Sequence, residues 1–143
     1  MDKVVLDTDI IVDFLRSKEE AVALVRKLRE KGVTLATTVI NLFELYWSAY
    51  KLGGIEKVRT IDKLSRTLTI LPMSSHESKA AGEEIAYLES LGVIIDIRDL
   101  LIGIIAGENG YFVVTGNVAH SNRIRDLNVL EYRKTTILKA CLN

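Results

Sequence analysis

Apolar residues along the chain alternate between short runs typical of buried strands and longer stretches with helical spacing. Strands are predicted where an apolar run of about four or five residues is bounded by polar residues, glycine or proline. These runs lie at 3–6, 34–37, 68–71, 111–115 and 128–132. Helices are predicted where apolar residues recur every three or four positions, at 10–16, 19–31, 39–52, 55–66, 77–91 and 96–108.

The order of these elements predicts the fold class. Strands that alternate with helices need crossover connections, which give a parallel sheet covered by helices on both faces. The pair Val113-Val114 is apolar without alternation, as a doubly covered sheet requires. Neither an internal repeat nor a proline-rich linker divides the chain. We therefore expect a single α/β domain over residues 1–143, built as a three-layer α/β/α sandwich around a central parallel sheet.

Composition limits the kinds of chemistry that the protein can perform. The chain has 143 residues, with 19 basic and 19 acidic side chains and a formal net charge of +0. Capture of nucleic acid by overall charge is therefore excluded, although a local basic rim is not. The single cysteine, Cys141, excludes a disulfide framework and a cysteine zinc site, and two histidines are too few for a histidine-rich zinc centre. We expect any chemistry to depend on carboxylates.

The sequence also bears on membranes and on the compartment. The longest apolar stretch, 100–107, is far shorter than the roughly 20 residues that a membrane span needs. The N-terminal residues lack the pattern of a signal peptide. We expect no membrane association and a cytoplasmic location.

Two polar clusters follow predicted strands. Asp7-Thr8-Asp9 comes directly after the first strand, and Thr115-Gly116-Asn117 comes after the fourth. Ligands of open parallel sheets bind beyond the carboxyl ends of the strands, so we expect these clusters to lie close together.

Two further acids are expected at the same edge. Glu44 lies near the start of the helix after the second strand, and Asp99 lies in the first turn of the helix before the fourth. Carboxylate oxygens suit Mg²⁺ or Mn²⁺, which keep several waters. Such an ion can activate water and stabilise charge developing on a phosphate.

Each acid also has a structural interpretation. Asp7 or Asp9 can cap the following helix, a role compatible with metal binding. Asp96 has the pattern of an N-cap, and Asp99 then lies where the helix dipole favours negative charge. Asn117, after a strand, is typical of a turn.

Structural interpretations also compete for the helix 39–52. Glu44 shares helical spacing with Asn41, Ser48 and Lys51, and the four could form one solvated stripe. The aromatic residues Tyr46, Trp47 and Tyr50 fit the core or an interface better than a base-stacking platform.

Four segments in order resemble the motifs of PIN-domain ribonucleases. They are 4–13 (VVLDTDIIVD), 37–45 (TTVINLFEL), 99–106 (DLLIGIIA) and 113–120 (VVTGNVAH). Each segment alone is a weak signal, but the four together, in this order and spacing, are specific. Gly103 stands where alanine is common in the family, and Asn117 stands where many members have aspartate.

The resemblance implies a PIN-like α/β/α fold and metal-dependent endonuclease cleavage of RNA. It implies that Asp7, Glu44 and Asp99 hold Mg²⁺ or Mn²⁺ and that Asn117 belongs to the catalytic set. Supporting roles fall to three further residues: Thr8 and Thr115, which would orient the carboxylates, and Asp96, an extra acid near the cluster. Candidate phosphate-contacting residues at the rim are Arg16, Arg98 and Arg123, although each can equally be an ordinary solvated arginine.

Among such proteins the single-domain form resembles the VapC toxins, which implies a VapB-like antitoxin as partner. The apolar helices 39–52 and 55–64 offer more hydrophobic surface than one core absorbs, so a homodimer is also expected. Three alternatives stay open: a PIN nuclease of RNA maturation or quality control without an antitoxin, a PIN-like interaction module without activity, and a receiver-like signalling domain. A receiver domain needs an acceptor Asp after the third strand. Residues 71–75, at that place, are LPMSS and contain no Asp.

Overall fold

The computed structural model describes residues 2–116, 123–125 and 127–131. The strands are β1 (Lys3–Leu6), β2 (Thr34–Thr38), β3 (Thr69–Leu71), β4 (Phe112–Thr115) and β5 (Val129–Glu131). The helices are α1 (Thr8–Leu15), α2 (Glu19–Glu30), α3 (Val39–Lys51), α4 (Ile55–Ser65), α5 (Ser75–Ser90) and α6 (Ile97–Glu108). Every strand and helix predicted from the sequence is confirmed, with bounds that differ by at most two residues.

Two helices begin earlier than predicted because polar side chains cap them. Asp7 is the N-cap of α1 and accepts a hydrogen bond from the Thr8 backbone N–H at 2.8 Å. At α5, Ser74 and Glu77 form a capping box, which moves the helix start to Ser75. The predicted capping role of Asp7 is therefore confirmed.

All neighbouring strands of the sheet run parallel, in the order β3-β2-β1-β4-β5. Val5 of β1 lies opposite Ala36 of β2 on one side and Val113 of β4 on the other. The chain moves outward from β1 to β3 and then crosses back to β4 on the far side of β1. The strand order thus reverses between β1 and β4, the place where ligands of open α/β sheets bind.

Alternate residues of the strands enter two separate cores, which makes the three-layer sandwich. Val4 and Leu6 pack into a core with buried residues of α1, α2, α3 and α4. Val5 and Val113 point to the opposite face and pack with Ile105 of α6. Helix α5 packs in turn on α6. The predicted α/β/α architecture is confirmed. No helix within the described residues has the length and apolar character needed to cross a membrane.

Helix α6 carries a notch that holds part of the chain between β4 and β5. Ile124 is buried, and its side chain contacts the helix where Gly103 leaves space. A Cβ added at Gly103 would overlap the Ile124 Cδ1 atom and lie 3.0 Å from Leu127 Cδ2. Gly107, one turn later, has only an ordinary contact of 3.6 Å to Leu127 Cδ1. The departure from alanine at Gly103 therefore has a steric reason.

We predict opposite effects of alanine at these two glycines. Gly107→Ala should raise the free energy of unfolding by up to about 1 kcal/mol, because alanine favours the helix. Gly103→Ala should lower it by about 1 kcal/mol or more, because the buried Ile124 side chain must shift to avoid the added Cβ. Urea unfolding measures both changes. In an Ile124→Ala background the Gly103→Ala penalty should shrink, and equal gains at both glycines would contradict the notch.

Candidate active site

The side chain of Asp7 lies at the carboxyl end of β1, where the strand order reverses. Its Oδ1 atom accepts hydrogen bonds from the Thr8 backbone N–H at 2.8 Å and from the Asn41 side-chain amide at 2.9 Å. Its Oδ2 atom accepts a hydrogen bond from the Thr115 hydroxyl at 2.7 Å. The Asp7 backbone N–H also donates to the Val114 carbonyl at 3.0 Å. Elements α1, α3 and β4 thus fix the orientation of one carboxylate.

Asn41 is the residue that joins these elements, and it is fully buried. Its carbonyl oxygen accepts from the Thr38 backbone N–H at 3.1 Å and from the Thr38 hydroxyl at 2.7 Å. Its amide nitrogen donates to Asp7 and, at 2.9 Å, to the Thr8 hydroxyl oxygen. All four hydrogen-bonding positions of the amide are therefore used.

The solvated-stripe interpretation is wrong for Asn41. Helix α3 turns this residue inward, whereas Ser48 and Lys51 are exposed as the stripe predicts. Sequence reasoning did not name Asn41 as a site residue. A signal was present, because Thr38 and Asn41 have the spacing of an N-cap and its N3 partner, and they form a capping box at the start of α3.

Glu44 lies one turn after Asn41 on α3 and is only partly exposed. Its Oε1 atom accepts a hydrogen bond from the Thr8 hydroxyl at 3.0 Å, and its Oε2 atom lies 3.7 Å from an Arg98 guanidinium nitrogen. Burial raises the pKa of Glu44 above its ordinary value, and the charges of Asp7 and Asp99 raise it further. The hydrogen bond from Thr8 and the charge of Arg98 oppose this shift of the pKa.

Asp99 lies in the first turn of α6, and its charge reaches Glu44. Asp96 is the N-cap of α6 and accepts a hydrogen bond from the Arg98 backbone N–H at 2.9 Å, so its predicted capping role is confirmed. Burial by itself raises the pKa of Asp96. Hydrogen bonds from the Arg98 and Asp99 backbones, together with the nearby positive charge of the Arg98 side chain, outweigh burial and hold that pKa below its ordinary value.

The sequence predicted that Asp7 or Asp9 caps the following helix and did not distinguish the two. In the structure Asp9 has a structural role of its own. Its Oδ1 atom accepts from the Ile10 backbone N–H at 2.9 Å, and its Oδ2 atom accepts from the Gly116 backbone N–H at 2.8 Å. Asp9 thus ties the start of α1 to the residue that follows β4. Asn117 comes next in the chain, and its predicted part in the site lies outside the described residues.

The three rim arginines occupy different surroundings. Arg98 bridges Glu44 and, at 3.5 Å, Asp96. Arg16 is exposed at the end of α1 and lines a groove that also reaches Glu44. Arg123 donates a hydrogen bond to the Ile94 backbone carbonyl. Of the three, only Arg98 has an ion pair with one of the predicted site carboxylates in the part of the chain described here.

The oxygen donors of Asp7, Glu44 and Asp99 have the chemistry that a hard divalent cation prefers. Within the described ranges, however, no three His, Cys, Asp or Glu side chains are grouped closely enough to hold a metal ion together. Mg²⁺ commonly binds through one or two carboxylates and keeps several waters. The donor set fits that open arrangement and does not form a closed cage. A cation would also offset the repulsion that raises the pKa of Glu44.

The chain belongs to the PIN domain family, whose model matches residues 4–122. PIN domains are nucleases, and the match covers most of the chain. No curated protein matches the sequence at a significant level.

Solved structures share the fold over nearly their full length. One match is a protein of the VapBC2 complex of Rickettsia felis bound to promoter DNA, at 28% identity and a TM-score of 0.80. The aligned region covers 90% of this chain and 97% of that one. VapBC-1 of nontypeable Haemophilus influenzae matches at 24% identity and a TM-score of 0.80, covering 92% and 99%. FitAcB of Neisseria gonorrhoeae matches at 22% identity and a TM-score of 0.76, covering 91% and 98%. The likeness to the last two shows the fold alone.

The strand order argues against the receiver alternative. Receiver-type doubly wound sheets have the order 2-1-3-4-5, which puts the third strand beside the first. Here β2 separates β3 from β1, and β3 is at the edge of the sheet. The end of β3 is therefore remote from the acids that follow β1.

We predict that Glu44 makes the protein less stable as the pH rises. Because its folded-state pKa is raised above 4.5, stability is lost as pH increases from that value through the folded pKa. Glu44→Gln should gain stability relative to the wild type across this window, with a constant difference above it. Urea unfolding between pH 4 and pH 8 in EDTA measures the difference.

The control is Glu56→Gln, which removes an exposed carboxylate that is paired with Arg59 at 3.2 Å. Glu56→Gln should not reproduce the gain in stability that is expected of Glu44→Gln. A difference between Glu44→Gln and wild type that stays flat or falls with rising pH would contradict the assigned electrostatics.

Proposed function

We propose that this protein is a Mg²⁺- or Mn²⁺-dependent endoribonuclease, acting as the VapC-like toxin of a type II toxin–antitoxin pair. The observation that supports the proposal is the electrostatic interaction of Glu44 with Asp7 and with Asp99 at the reversal of strand order in a PIN domain. The neighbouring VapBC complexes support the toxin assignment. We also propose a cytoplasmic location, since the proposed RNA substrate is found there.

In the proposed site Asp7, Glu44 and Asp99 would hold the cation, in part through the waters that such an ion keeps, with Asn117 as a further member of the catalytic set. The bound cation would activate water and stabilise charge on the phosphate under attack. Water adds across the P–O3′ bond, which leaves a 5′ phosphate and a 3′ hydroxyl.

The chain's own hydrogen bonds prepare this site before substrate arrives. Thr115 and Asn41 hold the two oxygens of Asp7, and Thr8 holds one oxygen of Glu44. These side chains keep each carboxylate in one orientation, so little reorganisation is needed during the reaction. Arg98 lies beside Glu44, where its positive charge can meet a phosphate oxygen of the RNA backbone.

We predict that Asp99→Asn and Asp7→Asn each reduce RNA cleavage to background, because an amide binds a divalent cation more weakly than a carboxylate does. EDTA should abolish the activity of the wild type, and Mg²⁺ or Mn²⁺ should restore it. Sequencing of RNA ends produced by wild type and Asp7→Asn provides the measurement. Glu56→Gln, which removes an exposed carboxylate paired with Arg59, should cleave normally. Cleavage that survives Asp99→Asn or EDTA would overturn the proposal.

A groove beside the acids offers a place for the antitoxin. It has a volume of about 320 Å³ and lies between α1, α3 and α4. Apolar side chains such as Val12, Leu45 and Ile61 line it, and Thr8 and Glu44 lie in the same lining. We propose that an apolar helix or strand of a VapB-like antitoxin occupies this groove and so blocks the acids. The expected homodimer also stays a proposal, supported by exposed apolar residues such as Tyr50 and Ile55.

We predict that Leu52→Asp, which adds a charge to this groove, weakens antitoxin binding at least tenfold and leaves RNA cleavage unchanged. Leu52 is 60% exposed, so the substitution should not disturb the core. Leu91→Asp is the matched control, since Leu91 is 58% exposed at the end of α5. Titration of each variant with the protein encoded beside it measures binding. Equal weakening by both variants would place the antitoxin elsewhere.

A further inference from the structure

Helix α3 carries a pair of stacked aromatic rings on its exposed surface. The ring centroids of Phe43 and Trp47 are 5.9 Å apart, with an angle of 27° between the planes. Phe43 is 56% exposed and Trp47 is 52% exposed. An exposed stack of this kind leaves apolar area in water that the fold itself does not use.

The stack adjoins the acids through Arg98. The Arg98 guanidinium carbon lies 5.7 Å from the centroid of the Trp47 ring, and the same guanidinium lies 3.7 Å from Glu44. Glu44 and Trp47 are three residues apart on α3 and therefore share one side of the helix. An aromatic surface, a cation and a predicted catalytic carboxylate thus lie next to one another.

We propose that Phe43 and Trp47 form a stacking site for one nucleobase of single-stranded RNA, with Arg98 contacting the phosphate of the same nucleotide. This inference rests on the proposed ribonuclease function and adds how the substrate is held. Single-stranded RNA presents unstacked bases, which proteins bind on aromatic rings and arginine guanidinium planes. A base on this stack would place the adjoining phosphate beside Glu44.

Charge complementarity favours this occupant over an apolar protein surface. The ion-pair distances from Arg98 to Glu44 and Asp96, 3.7 Å and 3.5 Å, are longer than well-formed hydrogen bonds. The guanidinium can therefore exchange these contacts for a phosphate oxygen. A purely apolar partner would cover Arg98, Glu44 and Asp96 together and would have to remove all three charges from water.

Trp47 is the only tryptophan in the chain, so fluorescence excited selectively at tryptophan, and not at the five tyrosines, reports on this site. The test titrates the Asp99→Asn variant with single-stranded RNA oligonucleotides and records both fluorescence and the anisotropy of end-labelled RNA. An abasic ribose–phosphate strand of the same length serves as the probe for phosphate contacts alone. Parallel titrations use Asp99→Asn combined with Trp47→Ala, Trp47→Phe or Phe43→Ala.

RNA with bases should quench Trp47 and bind more tightly than the abasic strand. Trp47→Ala should weaken binding about tenfold or more, in keeping with base–aromatic stacking, and Trp47→Phe should restore most of the affinity. Leu91→Ala is the matched control: Leu91 is also exposed but lies at the end of α5, a helix that carries neither ring of the stack. It should leave RNA affinity unchanged.

Unchanged Trp47 fluorescence at saturating RNA, with equal affinity in Trp47→Ala, would overturn the proposal. So would light scattering that shows Trp47→Ala converting a dimer to a monomer while RNA affinity per protomer is unchanged, since the stack would then be a contact between two copies. Absence of RNA cleavage by the wild type, with quenching by RNA retained, would overturn the proposed function and leave the stacking site supported.

Discussion

The arrangement of the acids depends on one buried amide. Asn41 uses its oxygen to cap α3 through Thr38 and its nitrogen to hold Asp7 and Thr8. A buried polar group without partners is costly, whereas here every donor and acceptor of the amide is satisfied. These hydrogen bonds therefore hold the start of α3 at the end of β1. Because Glu44 is one turn further along α3, the same hydrogen bonds set its distance from Asp7.

Burial and repulsion between acids oppose the ionisation of Glu44. Burial and the charges of two other acids raise the pKa of Glu44, which means that its ionised form is held at some cost to stability. The hydroxyl group of Thr8 and the guanidinium of Arg98 reduce that cost without removing the negative charge. Perturbed pKa values of this kind cluster at functional sites, and a cation bound beside Glu44 would lower the cost of its ionised form.

Helix α3 serves several purposes because its sides face different surroundings. The buried side carries Asn41 at the strand ends and, further along the helix, Leu45 and Ala49 in the core with α4. The exposed side carries the Phe43–Trp47 stack. Glu44 lies at the boundary between the buried and exposed sides, so α3 links the proposed chemistry to the proposed substrate and antitoxin surfaces. A change that rotates this helix would affect all of them together.

The sequence by itself determined the elements, their order and the parallel sandwich, because hydrophobic periodicity and capping residues are local signals. It also placed Asp7 and Thr115 at strand ends that a parallel sheet must bring to one edge. The burial of Asn41 was missed, because four polar residues at helical spacing describe a solvated side equally well. Only the tertiary structure decided which of them faces the strand ends.

The same limit applies to the remaining contacts of the site. Asp9 and Gly116 are 107 residues apart in the chain, and Arg98 reaches Glu44 and Trp47 from a different helix. No local pattern encodes such pairs. They exist because the reversal of strand order between β1 and β4 and the packing of α6 near α3 bring distant segments together, which is a property of the folded chain.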